Sequence, residues 1–305
     1  MKPLAGAVAV CLSFSGVAMA QDDLSKVEIK VHKVAGTVYM LEGAGGNIGV
    51  SVGDDGVLVV DDQFAPLAPK IRAAIKTVTD KPLRFLLNTH WHGDHVGGNK
   101  AFSSDATIIA HDNVRKRMVS GSAPGSPFKV EPAGADELPV ITFDHSLTVH
   151  VNGEDIRALH FAGGHTDGDS IIYFPVSNVV HMGDDFVTYG LPFIDVASGG
   201  TIRGLIENTE RAIAELPDDV KIIPGHGPVS GKAEVRTFTA MLKDCVALVD
   251  AARKQGKTLE QVQQARVLQK YEPLGQGFVK TNDFAALIYR ELEGTPKVQA
   301  DKTHH

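Results

Sequence analysis

His90-Trp91-His92-Gly93-Asp94-His95 places four metal-ligand side chains within six residues. His90 and His92 are two apart, so an extended backbone points both imidazoles the same way. Asp94 and His95 are adjacent and share a direction with that pair only where the chain turns. One loop can thus feed two neighbouring cations, two ligands each. Imidazoles with a carboxylate suit zinc, while iron or manganese accept the same donors. Upstream, Leu83-Arg84-Phe85-Leu86-Leu87-Asn88 reads as an apolar strand; downstream, Val96-Gly97-Gly98-Asn99 reads as a Gly-rich loop. The cluster therefore ends a buried strand, unlike an H-E-x-x-H site, whose ligands repeat along a helix.

Four ligands cannot complete two sites. Three later segments have the same form of strand, turn and ligand. They are Gly163-Gly164-His165-Thr166-Asp167-Gly168-Asp169, Val179-Val180-His181-Met182-Gly183-Asp184-Asp185 and Ile222-Ile223-Pro224-Gly225-His226-Gly227-Pro228.

This set, in this order, resembles the metallo-β-lactamase superfamily, whose pattern is H-x-H-x-D-H, then His, then Asp or Cys, then His. The resemblance covers roughly residues 35–230. It implies an αββα sandwich, two facing mixed sheets with helices outside and the metals at one edge. Periodicity alone gives only α/β with a mixed sheet. The resemblance further implies that His90, His92 and His165 hold one metal and that Asp94, His95 and His226 hold a second. Asp184 stands at the bridging position, and two zinc ions per chain are expected. Asp61, closing the strand Val57-Leu58-Val59-Val60, matches a position that supports the ligand loop. Its plainer alternative is an acid ending a strand in a turn. His111, His160 and His181 read as structural residues near strand ends, and His32, His145 and His150 as solvated.

The ligand set implies hydrolysis by a metal-activated hydroxide, because zinc lowers the pKa of bound water from about 15.7 to about 7. Asp94 is the expected catalytic acid–base group. A β-lactam is the leading single substrate, although the best-known lactamase branch has Cys at the place of Asp184. That branch also has Lys where Val187 stands, to grip the substrate carboxylate. A lactonase or a glyoxalase-type thioesterase shares the ligands; the lactonase Tyr is expected three residues after the bridging acid, whereas Tyr189 is five after. An iron-dependent oxidoreductase of the sulfur dioxygenase type uses a related set. Residues Tyr189 to Gly200 are expected at the substrate mouth, with Phe193 and Ile194 as apolar contacts.

The start of the chain has Met1-Lys2, an apolar stretch from Leu4 to Val17 and Ala18-Met19-Ala20, which together read as a signal peptide over residues 1–20. Its apolar core is too short to span a membrane. Residues 21–305 then form a single hydrolase domain with C-terminal helices, located in the periplasm or secreted. Removing the leader takes only Lys2 from the charged residues, shifting the net charge from −7 to −8. No basic block occurs, so nucleic acid is not an expected partner; a small molecule is. Cys245 is the only cysteine left, excluding an internal disulfide, and reads as a small core residue.

Alternation and turn signals predict strands over 27–34, 37–41, 48–52, 57–60, 83–87, 107–110, 140–143, 146–151, 155–161, 170–174, 177–181 and 220–223. Helices are expected over 66–78, 111–119, 201–216, 234–254, 258–268 and 281–292, and residues 121–139 as a long loop that could act as a lid.

Overall fold

The computed structural model describes residues 24–122 and 130–294. The expected leader over 1–20, residues 123–129 of the long loop, and the tail from 295 lie outside these described residues.

The N-terminal half builds a seven-stranded sheet. β1 (Lys30–Ala35), β2 (Val38–Glu42), β3 (Ile48–Gly53) and β4 (Gly56–Val60) form an antiparallel meander. The last turn is the expected one, between Gly53 and Gly56. After α1 (Ala68–Lys76), β5 (Leu83–Leu87) pairs parallel to β4. Two short helices, α2 (Gly93–Val96) and α3 (Asn99–Phe102), lead to β6 (Thr107–His111). Helix α4 (Asp112–Ser120) then leads to β7 (Ile141–Phe143), and β5, β6 and β7 run parallel.

A five-stranded sheet faces the first. β8 (Ser146–Val151), β9 (Glu154–His160), β10 (Ser170–Phe174) and β11 (Val179–His181) are antiparallel neighbours. After α5 (Ile202–Ala214), β12 (Lys221–Ile223) pairs parallel to β11. Helices α6 (Lys232–Lys254), α7 (Leu259–Gln264) and α8 (Thr281–Gly294) follow.

Burial explains the layering. Along β4 every residue is buried, yet Leu58 and Val60 point between the sheets whereas Val57 and Val59 point at α1. The inter-sheet core joins Leu58, Val60, Leu87 and Ile109 to Ile156, Ile172, Phe174 and Ile223. On the outer face of the first sheet, Leu67, Ile71, Ala74 and Ile75 cover Val50, Val59, Leu86 and Ile108. The outer face of the second sheet is covered by α5, α6 and α8 through Leu205, Val235, Leu242, Cys245, Phe284 and Ile288. The arrangement is the αββα sandwich.

Three details differ from the expected elements. The stretch after His92 is a helical turn, not a loop; four residues are too few to show a periodicity in sequence. The helix expected over 258–268 stops at Gln264, just before Arg266 turns to a positive φ of 47°. The strand expected from 177 begins at Val179, because Asn178 adopts a φ of 54°. Within 121–139, Ser122 and Val130 bond to each other, and Val130, Ala133 and Leu138 pack around Trp91 and Met118.

Candidate metal centre

The strand ends deliver the cluster. β5 runs into Asn88 and Thr89, after which His90 and His92 lead into α2, His92 being its N-cap residue. His92 is extended (φ −66°, ψ 145°), and the helical turn that follows swings Asp94 and His95 to the other side. His165 arrives from the β9–β10 loop, Asp184 from the turn after β11, and His226 from the turn after β12. The structure brings all seven side chains together as His90/His92/His165, His90/His95/Asp184 and Asp94/His95/His226.

Two glycines allow this close approach. A Cβ on Gly46 would strike the His95 ring, and one on Gly225 would strike the Asp184 carboxylate.

Hydrogen bonds fix which ring nitrogen faces inward. His165 Nδ1 donates to the Phe193 carbonyl at 2.8 Å, leaving Nε2 as a lone pair. His92 Nε2 donates to Asp195 Oδ2 at 3.0 Å, leaving Nδ1 as a lone pair. Those two lone-pair nitrogens face each other at 2.8 Å. Two acceptors at that distance repel unless a cation or proton lies with them. His90 Nδ1 lies 3.0 Å from the Thr89 hydroxyl, to which it donates, and its buried Nε2 has no hydrogen-bond partner among the described residues. Burial disfavours the charged imidazole, pushing His90 well below the ordinary range and His165 down to about 4. These rings are therefore neutral, as metal ligation requires.

The second cluster is an ion-paired network. Asp61, at a strained φ of 62°, accepts from Thr89 N at 2.8 Å, the Thr89 hydroxyl at 2.7 Å and His95 Nδ1 at 2.7 Å. His95 Nε2 lies 3.3 Å from Asp184 Oδ1 and 3.7 Å from Asp94 Oδ2. His226 Nε2 lies 3.3 Å from Asp94 Oδ2 and 3.5 Å from Asp184 Oδ1. Burial opposes charge here too, but the carboxylates outweigh it. Asp184 and Asp94 raise His226 to about 9, and His95 rises well above its ordinary value. For Asp94 the neighbouring His95 and His226 overcome burial and hold the carboxyl at about 2.

Asp184 joins the halves. Its Oδ1 faces His95 and His226, while Oδ2 lies 3.6 Å from His165 Nε2. Oδ1 is buried without a hydrogen-bond partner among the described residues, as is His95 Nε2. Buried polar atoms are normally paired. Inward-facing orphans and opposed lone pairs, on a His/Asp donor set, fit two divalent cations.

Several other expectations meet the structure here. Asp61 supports His95 rather than merely ending a strand. His181 is held structurally, its Nε2 at 2.9 Å from the Asn47 carbonyl and its Nδ1 accepting from Gly183 N. His111 caps α4 and stacks on His160 at 3.6 Å. Ile194 is buried packing, whereas Phe193 sits at the mouth, 5.9 Å from the His92 and His165 rings. Val187 does not point into the site: it is 2 % exposed and packs in the core with Phe186 and Leu191. The residue therefore cannot serve as the grip for a substrate, and a lysine there would be buried.

Sequence reading missed Asp195, Thr89 and a buried acidic pair behind His165. Asp185 Oδ1 accepts from His165 N at 3.3 Å, and Asp169 Oδ2 from Thr166 N at 2.8 Å. Burial raises Asp185 to about 7 and Asp169 well above the carboxyl range, so the pair retains a proton. The only sequence signal was two acids beside ligand positions.

An αββα sandwich with a His/Asp metal cluster at one sheet edge defines a class of metallo-hydrolase. The metallo-beta-lactamase superfamily profile matches residues 41–226, and the chain belongs to that superfamily. Among similar proteins is the linear primary-alkylsulfatase of Pseudomonas sp. (strain ATCC 19151), 25% identical over 237 residues. That match takes in 64% of this chain, but the chain spans only 44% of the alkylsulfatase. The metallo-beta-lactamase type 2 of Bacteroides fragilis is 24% identical over 245 residues, 73% of this chain and 90% of that protein. A hydroxyacylglutathione hydrolase of Pelagibacter ubique (strain HTCC1062) is 28% identical over 159 residues, 51% of this chain and 57% of that protein. A solved metallo-beta-lactamase from Pontibacter korlensis superposes with a TM-score of 0.61 at 16% identity, over 71% of this chain and 99% of its own. That last likeness speaks to the fold alone.

Proposed function

We propose that this protein is an exported dinuclear zinc hydrolase that opens a small-molecule amide or ester, with a β-lactam as the leading substrate. The observation that carries the hydrolase reading is Asp184, whose two oxygens face two separate histidine clusters. The zinc assignment rests on the donor set, which iron or manganese would also accept. His90, His92 and His165 would hold one cation, Asp94, His95 and His226 the other, and Asp184 both. When bound, the cations supply an activated water near neutral pH and polarise the oxygen of the scissile group. Asp94 is the catalytic residue among the ligands. Its side chain is 31% exposed at the mouth, against 8% for Asp184, so it can take a proton from the nucleophile side and return it to the leaving atom. Asp195, Asp61 and the Phe193 carbonyl orient imidazoles and touch no substrate.

Coverage of most of the Bacteroides fragilis lactamase supports the β-lactam reading. A second reading, a lactone or thioester substrate, is favoured by a specific feature. Residues 181–202 contain no Lys or Arg, and Val187 is buried, so this loop offers no cation for a substrate carboxylate. Loss of such a contact costs roughly 1.5–3 kcal/mol. β-Lactam turnover should therefore be measurable but inefficient. A panel of β-lactams, lactones, thioesters, phosphodiesters, sulfate esters and small amides, run on zinc-loaded protein, tests this. Turnover of none of them with two metals bound would overturn the hydrolase reading. Export is supported by the leader-like composition of residues 1–20, and N-terminal sequencing of native protein should begin at Gln21.

A further inference from the structure

Residues 43–47 join β2 to β3, and the last two of them, Gly46 and Asn47, touch both limbs of the second ligand cluster. Gly46 N donates to the Asp94 carbonyl at 3.1 Å, and the Gly46 Cα lies so close under the His95 ring that a Cβ would meet it at 2.2 Å. The Gly46 carbonyl accepts from Gln63 Nε2 at 2.7 Å. Asn47 reaches the other way, across to the second sheet. Its backbone N donates to the Gly225 carbonyl at 2.7 Å, and its buried Nδ2 donates to the Pro224 carbonyl at 2.9 Å and to the Gly227 carbonyl at 2.8 Å.

Those bonds account for the turn that carries His226. Of the four carbonyls from Pro224 to Gly227, Asn47 holds three, and Thr188 N donates to that of His226 at 3.0 Å. The other four ligand imidazoles have the outer nitrogen held directly, by Thr89, Asp195, Asp61 or the Phe193 carbonyl. The outer nitrogen of His226 has no protein partner among the described residues; its Nε2 faces the carboxylates, and its ring meets those of His95 and Tyr189 edge-on at 5.4 and 5.5 Å. The direction of this ring is therefore set through its turn.

We propose that Asn47 is a positioning residue for the metal of the Asp94, His95 and His226 cluster. It fixes how far the His226 turn, from the second sheet, stands from Asp94 and His95, which follow β5 of the first. The inference rests on the reading of the cluster as a metallo-hydrolase centre. Its plainer alternative is a tie between the sheets with no bearing on metal. Such a tie exists at the opposite end of β2, where Thr37 N donates to Ser177 Oγ at 3.0 Å.

That second tie supplies the control. Zinc is titrated against a chromophoric chelator into wild type, Asn47→Ala, Asn47→Ser and Ser177→Ala, with His226→Ala identifying the step that belongs to its side. Asn47→Ala should weaken that step by about tenfold, the low end of what losing an orienting partner costs. The His90/His92/His165 step should stay unchanged. Ser177→Ala should lower the melting temperature of metal-free protein and move neither step. Asn47→Ser, the milder change, should act in the same direction and on the same side, and serves where the alanine variant does not fold. With cobalt(II) as the probe, the visible spectrum of the equivalent bound on the His226 side should change in Asn47→Ala, while that of the other equivalent matches wild type. Equal weakening of both steps, or a lowered melting temperature with neither step moved, overturns the proposal. A one-sided shift without turnover of any panel substrate would leave Asn47 in its role and remove the hydrolase reading; turnover with that step unmoved in the Asn47 variants would do the reverse.

Discussion

The two halves of the metal centre are built on opposite electrostatic plans. Around His90, His92 and His165 each ring is held by a hydrogen bond from its outer nitrogen, to Thr89, Asp195 and the Phe193 carbonyl, and burial keeps His90 and His165 neutral. Around Asp94, His95 and His226 the acids hold protons on the imidazoles. The first half is ready for a cation; the second must exchange protons for one. Exposure separates two ligands from the rest: the Asp94 and His226 side chains are 31% and 22% exposed, whereas His165 is 1% exposed and His95, which supports them from beneath, is fully buried. The His90/His92/His165 side suits a resident metal, and Asp94 and His226, the outward ligands of the other side, suit contact with substrate.

The largest way to break this comparison is to remove the group that the halves share. Asp184→Ala should empty the Asp94/His95/His226 side and weaken the other. The loss on the open side should exceed the roughly 10- to 100-fold typical of removing an orienting partner. Elemental analysis after dialysis should fall from two metals per chain to one or fewer. Two retained metals would show that Asp184 does not join the sites.

Removing the orienting acids one at a time sharpens the contrast. Asp195→Asn should weaken the His92 side, and Asp61→Asn the His95 side, each by about 10- to 100-fold in metal affinity. Competition with a chromophoric chelator, resolving two binding steps, should show a different step moving in each variant. Equal effects on both steps would mean that the centre is one cooperative unit.

These two acids also show what was legible in the sequence. Asp61 closes a clear apolar strand and matches a family position, so its role could be suggested. Asp195 lies 103 residues from its partner His92, in a loop without periodicity, and nothing local marks it. The ligand hexapeptide was legible because His90 and His92 are separated by one residue. The roles of Asp184 and His226 came from the family resemblance and not from spacing. The sandwich likewise came from the resemblance, because alternation in strands such as Ser146–Val151 marks a buried face and gives only α/β with a mixed sheet. The side on which Val187 falls was not, because it follows a 3-10 turn (Gly183–Asp185) where strand alternation no longer applies.

A third, milder test uses pH. In metal-free protein the His226 pairing raises that pKa to about 9. The stability it contributes is full below about 6.5 and fades as pH rises through 9. The same proton must leave before a cation can bind that nitrogen. His95 must shed its proton as well, so affinity for the open-side metal should climb by about tenfold per pH unit for each of the two imidazoles, the His226 contribution levelling off above about pH 9. His165, held down to about 4, is already neutral throughout this range, and so is His90. Affinity at the buried side should stay flat between pH 6 and 9 on their account. Parallel pH slopes for the two steps would abolish the distinction.

The smallest effect tests whether the halves communicate through Thr89. Its hydroxyl donates to Asp61 Oδ2, which also receives His95, and lies 3.0 Å from His90 Nδ1, from which it accepts. One oxygen therefore touches the orienting shell of both metals. Thr89→Val keeps the branched shape but strips both bonds, each worth about 1 kcal/mol net. The backbone bond from Thr89 N to Asp61 Oδ1 survives, so the loop should hold its course. Both binding steps should weaken by about fivefold each, well short of either acid substitution. Combined with Asp61→Asn, the valine should add little on the His95 side, since Asp61 is the means by which Thr89 acts there, yet still weaken the His90 side in full. Full additivity on both sides would show that the hydroxyl acts on each half separately and that Asp61 does not carry its influence to His95.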